Sequence, residues 1–170
     1  MLEKNRVESV MVNTAHERVM EMLREAGAPF TLHEHPPVRT IEEAHRHARH
    51  LTRHLLKTVV FKIKDGPWIL AAVEGGARID YRGLASAFGV KRTDLRTVSP
   101  PEVENALGFE VGGVGPFAIW EDVEVVLDES LARLRFIFCG SGLNTRTVEM
   151  AIRDLAALPR TRFSPIARSC

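Results

Sequence analysis

Between Val111 and Pro116 the chain reads Val-Gly-Gly-Val-Gly-Pro, a stretch almost without side chains and rich in bare amides. A loop of this kind lets backbone come close to a ligand, and its N–H groups can hold an anion or a developing oxyanion. The same residues also suit a wide turn between two strands, and local sequence does not choose between the two readings. Two phosphate loops are excluded. The glycine spacing is not that of a dinucleotide fingerprint, and no Lys-Ser/Thr follows as in a Walker loop. Lys57 is the second candidate. It follows the apolar pair Leu55-Leu56 and opens a β-branched run. Its ammonium either faces a pocket, where a buried charge must be paired or used, or snorkels to water.

A third group is histidine-rich. His47, His50 and His54 share one face if a single helix runs through them, which would suit metal ligands. No carboxylate or cysteine takes a fourth position, and the interleaved arginines repel a cation, so no metal is expected. From Arg39 to Lys57 five basic residues face only Glu42 and Glu43. That surplus suits RNA phosphates, with Arg39, Arg46 and Arg53 the candidates, or simply a solvated helix face. Lastly, Gly140-Ser141-Gly142 follows Cys139, so the Gly-x-Ser-x-Gly frame of a nucleophile elbow fails. With no Cys/His or Ser/His/Asp arrangement at diagnostic spacing, a protein nucleophile is not expected.

These groups need elements to position them. Thr14 and Glu17 have capping-box spacing, and Gly27 suits the stop of the helix they open. Phe30 to Glu34 alternates like a strand before His35-Pro36-Pro37 breaks it. Thr40 with Glu43 opens a second helix, and Ile41, Ala44, Ala48, Leu51 and Leu55 predict that it runs on as one apolar seam to Lys57. Thr58–Lys64, Asp65-Gly66 and Trp68–Val73 read as a β-hairpin. Helices follow over Asp80–Phe88 and after Ser99-Pro100, the latter ending at Gly108. Strands are predicted at Leu95–Val98, Val123–Leu127, Leu134–Cys139 and Thr147–Met150, then a helix over Ala151–Leu158.

The chain has 170 residues, 45% hydrophobic and 26% charged, and no repeat or linker, which predicts one mixed α/β domain. Residues 1–13 read as a lead-in and 14–170 as the domain. Twenty-three basic against 22 acidic residues leave a formal charge of +1, which argues against a wholesale nucleic-acid coat such as a DNA packer. Two cysteines, Cys139 and Cys170, make no disulfide framework, so a reducing cytoplasm is the expectation. No apolar run approaches the roughly 20 residues of a membrane span.

Taken in order, these pieces resemble the YbaK/prolyl-tRNA synthetase-associated domain family of aminoacyl-tRNA editing proteins. The carriers are Glu34-His35-Pro36-Pro37 with Thr40 to Ala44, Lys57 to Lys62, Gly112 to Phe117, Leu127 to Leu131, and Phe138 to Gly142. The resemblance implies a barrel-like mixed sheet flanked by helices. It also implies trans hydrolysis of the ester of a mischarged tRNA, held by its acceptor end, without cofactor. The tRNA expected is tRNA(Pro) carrying a small wrong amino acid, with prolyl-tRNA synthetase as partner and the chain a monomer or small homo-oligomer. Lys57 matches the family's functional lysine, and Gly112, Gly113, Val114, Gly115 and Pro116 match its Gly-x-x-x-Pro loop. His33, His35, Thr40, Gly140, Ser141 and Gly142 fall where the aminoacyl group would be contacted. Backbone amides would hold the oxyanion while water or a substrate group attacks. A non-catalytic module that binds tRNA ends is the alternative. The branch that clears cysteinyl-tRNA(Pro) has Tyr at His33, Ser at Gly140 and Asp at Thr147. The alanyl branch has a His-Pro-x-x-Asn segment that Cys139-Gly140-Ser141-Gly142 does not reproduce. The resemblance thus leaves the amino acid open.

Overall fold

The structure, a computed structural model, describes residues 14–168; the expected lead-in of 1–13 lies outside them. Helix α1 (Ala15–Glu25) starts where Thr14 accepts a hydrogen bond from the Glu17 N–H. Strand β1 is Phe30–Glu34 and helix α2 is Ile41–His47. The hairpin of β2 (Leu56–Ile63) and β3 (Trp68–Glu74) forms as read. Helix α3 (Tyr81–Ala87), β4 (Leu95–Thr97) and α4 (Pro100–Leu107) come next, α4 closed by Gly108 at φ 84°. Then follow β5 (Val123–Asp128), β6 (Phe136–Gly140), β7 (Arg146–Ala151), α5 (Ile152–Ala156) and β8 (Thr161–Ser164).

The strands make two sheets, ordered β4-β2-β3-β5-β8 and β1-β7-β6. The expected single mixed α/β domain, a sheet flanked by helices, is therefore present, in two sheets that do not close into a barrel. Among the described residues β4 and β8 are free edges of the larger sheet, and a bridge between Leu55 and Phe138 links it to the smaller one. The larger sheet is buried on both faces. Val60, Leu70 and Val125 point into one core, Phe61, Ile69 and Val126 into another. β3 is consequently a nearly continuous apolar run, as expected of a strand paired in parallel with β5 and covered on both sides.

One prediction fails in a way that shapes the site. The second helix stops at His47, because Ala48 leaves helical geometry at φ −143° and ψ 44°. A 3-10 turn over Arg49–Leu51 follows, with Thr52 Oγ1 donating to the Arg49 carbonyl and His54 at φ 57°. The chain has to turn here so that Leu56 can enter the sheet opposite Glu74. His47, His50 and His54 therefore share no helix face, and among the described residues no three metal-ligating side chains converge. β8 carries no alternation that the sequence could have revealed.

Candidate functional site

A cleft of about 290 Å³ opens where the smaller sheet, α2 and the start of β2 meet. Its position follows from local interactions. His35 N–H donates to the Thr145 carbonyl and Val38 N–H to the Asn144 carbonyl, so the His-Pro-Pro segment runs beside the start of β7. Thr40 caps α2 through the Glu43 N–H, and the Glu43 carboxylate reaches back to the Arg39 N–H at 2.8 Å. That double cap fixes the entry of α2, whose Ile41 and Ala44 form one wall with Ala48, Leu51 and Leu55.

The opposite wall is the glycine loop. A Cβ on Gly112 (φ 85°) would lie 2.1 Å from the Val38 carbonyl oxygen, and one on Gly115 would lie 1.9 Å from that of Gly140. Gly140 faces the Val114 carbonyl in the same way, at 2.3 Å. The glycines thus let three backbone segments meet at distances no side chain permits. Glu110 N–H donates to Gly142 O and Gly142 N–H to Gly113 O, which holds the loop in register. The amides of Gly112, Val114 and Gly115 make no hydrogen bond among the described residues.

Lys57 sits at the mouth, half-buried, its ammonium donating to the Ala77 carbonyl. It lines both this cleft and a second, open hollow beyond β2. Burial first, and the nearby Arg78 charge second, push its pKa below the ordinary lysine value. An NMR titration of the Lys57 side chain should give a midpoint below that of free lysine. Arg78→Ala, which removes a like charge, should move that midpoint up; an unmoved midpoint would leave burial as the whole cause.

Of the sequence-derived residues, Lys57, Gly112, Val114, His35, Thr40, Gly140 and Arg39 line the cleft. Gly113, Gly115 and Pro116 lie buried behind it. His33 faces elsewhere, its Nε2 2.8 Å from Glu149 and its ring against Phe138. Ser141 is buried with Oγ donating to the Arg146 carbonyl, and Gly142 packs under the His16 backbone. Arg46 and Arg53 are exposed outside the cleft. Phe117 and Trp120 belong to the core.

Thr147 was visible in the sequence only as a departure from a related pattern. Its hydroxyl meets His35 Nε2 at 2.7 Å, while His35 Nδ1 lies 2.8 Å from the Pro36 carbonyl. A carbonyl can only accept, so Nδ1 carries the proton, and in the neutral ring Nε2 accepts from Thr147. No sequence spacing links residues 112 apart; the signal lies in the pairing of β1 with β7. Cys139, fully buried, has its thiol pushed up by desolvation and offers no thiolate.

The sequence profile of the aminoacyl-tRNA editing domain matches residues 35–158. The chain is 32% identical over 117 residues to the uncharacterized protein YwhH of Bacillus subtilis, covering 69% of this chain and 73% of that one. It is 31% identical over 106 residues to a proline–tRNA ligase of Bacillus cytotoxicus, spanning 62% of this chain but only 18% of the ligase. Among solved structures, the hypothetical protein APE2540 superposes with a TM-score of 0.79 at 22% identity, over 89% of this chain and 100% of that one. A candidate trans-editing enzyme for prolyl tRNA synthetase superposes with a TM-score of 0.75 at 25% identity, over 92% and 99%. The matched stretch contains Lys57, the glycine loop and every other residue of the cleft, and on that match the chain belongs to the aminoacyl-tRNA editing domain family.

Proposed function

We propose that this chain is a trans-acting deacylase that hydrolyses the ester of a mischarged tRNA, most simply tRNA(Pro) bearing a small wrong amino acid. The observation that supports this most is the meeting of a half-buried lysine and unpaired loop amides across one small cleft. The aliphatic wall of Ile41, Ala44, Ala48 and Leu51 suits a small apolar side chain. Thr147, its O–H donated in a hydrogen bond to His35, keeps lone pairs for the α-ammonium of the aminoacyl group. The amides of Gly112 and Val114 would receive the developing oxyanion, and Lys57 retains two N–H donors for the 3′-terminal nucleotide. Water, oriented by the loop or by a substrate hydroxyl, adds to the ester carbonyl; its OH stays on the acyl carbon and its proton goes to the departing ribose oxygen, so the amino acid leaves as the free acid. Editing of this kind is needed because binding pockets separate small amino acids by only about 1–3 kcal/mol.

The test is a deacylation panel. Purified protein meets tRNA(Pro) charged with alanine, cysteine, serine or proline, and non-proline tRNAs charged with small amino acids. Selective hydrolysis of a mischarged species is the expected result. Saturable tRNA binding with no turnover on any member would favour a non-catalytic tRNA-end module instead.

A further inference from the structure

The second hollow, about 820 Å³ and open to solvent, lies on the far side of Lys57 from the cleft. Arg78, Arg82, Arg92 and Arg168 surround it together with Lys57, and among the described residues Asp80 is the one carboxylate that lines it. Asp80 is already engaged, accepting from the Arg82 N–H as the cap of α3. Away from the hollow three arginines meet acids: Arg96 with Glu102 at 2.9 Å, Arg133 with Glu74 at 2.9 Å and Arg146 with Glu34 at 3.3 Å. Around the hollow no arginine is paired with an acid among the described residues. Arg92 lies 4.6 Å over the Tyr81 ring and donates to the Leu95 carbonyl, while the Arg78, Arg82 and Arg168 guanidinium groups have no partner among the described residues. A chain of nearly zero net charge thus gathers five cations at one place, a repulsive arrangement unless an anion joins them.

The arrangement is also held firmly. The C-terminal segment that supplies Arg168 is tied to the Arg78 segment by an Ile79–Ala167 bridge, by Arg168 N–H to Arg78 O at 2.8 Å and by Asp80 N–H to Ile166 O at 2.7 Å. Beneath it the Asp128 carboxylate accepts from the N–H groups of Ile166 and Ala167, both at 2.9 Å. Burial alone would raise that carboxyl, but the hydrogen bonds from Ser130, Ile166 and Ala167 outweigh it and hold the group below the usual carboxylate range.

We infer that this hollow is an RNA-backbone site, holding phosphates of the acceptor stem of the tRNA whose aminoacyl end lies in the cleft. The inference rests on the deacylase reading for the identity of that RNA. Lys57 borders both openings, so one continuous strand can occupy the two. The cations ring an opening far wider than a single phosphate, which fits a run of phosphodiesters better than one free anion. It also moves the RNA trunk to the α3 side, away from Arg46 and Arg53.

The experiment uses the full chain and uncharged tRNA, with affinity followed by fluorescence anisotropy over a range of salt. Arg82→Glu/Arg168→Glu alters two side chains that line no part of the cleft. The expected result is an affinity at least about tenfold weaker, with the salt slope reduced by about two, one unit per lost phosphate contact. Arg82→Lys/Arg168→Lys should recover most of the affinity, and Arg46→Glu/Arg53→Glu should weaken it far less. Hydrolysis of a short aminoacyl ester of the trinucleotide CCA by the Glu variant should match wild type. Unchanged tRNA affinity and salt slope in the Glu variant would overturn the proposal. So would complete displacement of tRNA by millimolar inorganic phosphate, which would mark a small-anion site. If wild type cleaves no ester, yet tRNA binding still depends on Arg82 and Arg168, the deacylase reading fails and the RNA site stands.

Discussion

Lys57→Ala should lower kcat/KM for deacylation by roughly 10²–10³-fold, the usual loss when one charged or hydrogen-bonding contact to developing charge is removed. The ammonium is the only lysine charge at the cleft, and it stands at the mouth opposite the unpaired amides of the glycine loop. Its hydrogen bond to the Ala77 carbonyl is its single protein partner, so the substitution removes little from the fold. A hydrogen bond of this kind contributes about 1 kcal/mol net, and for a chain of this length that moves Tm by about 2–4 °C. Activity and stability should therefore separate sharply. Lys57→Met, which keeps the aliphatic stem, should behave like the alanine variant if charge is what matters. A rate within twofold of wild type in both would remove Lys57 from the mechanism.

Gly115→Ala should damage rate and stability together. Its Cβ would lie 1.9 Å from the Gly140 carbonyl oxygen and 3.0 Å from the buried Phe117 ring. The first obstacle is backbone at the end of β6, locked by pairing with Thr147, so the loop must retreat rather than its neighbour. Overpacking of this kind costs roughly 1–3 kcal/mol, and at about 2–4 °C per kcal/mol Tm should fall by roughly 3–10 °C. The retreat also displaces the neighbouring Val114 amide, so deacylation should drop at least as far as in Lys57→Ala. Gly76→Ala is the control, since nothing lies within 4 Å of its Cβ and its φ is not in the left-handed region. Wild-type Tm and rate in Gly115→Ala would show that the close approach is not needed.

Much of the framework could be read along the chain because it is set by neighbours in sequence. Thr14, Thr40 and Ser99 each cap a helix through the N–H three residues on, and Asp65-Gly66 joins the hairpin. These are contacts over two to four residues, and residue type alone specifies them. The glycine loop and Lys57 stood out in the sequence as candidates, each beside an ordinary reading, a wide turn for the loop and a snorkelling side chain for the lysine. Tertiary structure decided the rest. The helix seam from Ile41 to Leu55 is sound as a pattern, yet the demand that Leu56 pair with Glu74 ends the helix at His47 and scatters the histidines. His33 and His35 look alike in sequence, but β1 ends at Glu34, so His33 stays in the strand beside Glu149 while His35 leaves it and meets Thr147 in the cleft. Arg78 and Arg82 lie four residues apart, but nothing in the sequence ties Arg92 or Arg168 to them. Pairing of the C-terminal segment with residues 78–80 brings Arg168 to them, because a fold gathers charges by long-range backbone pairing that no local pattern records.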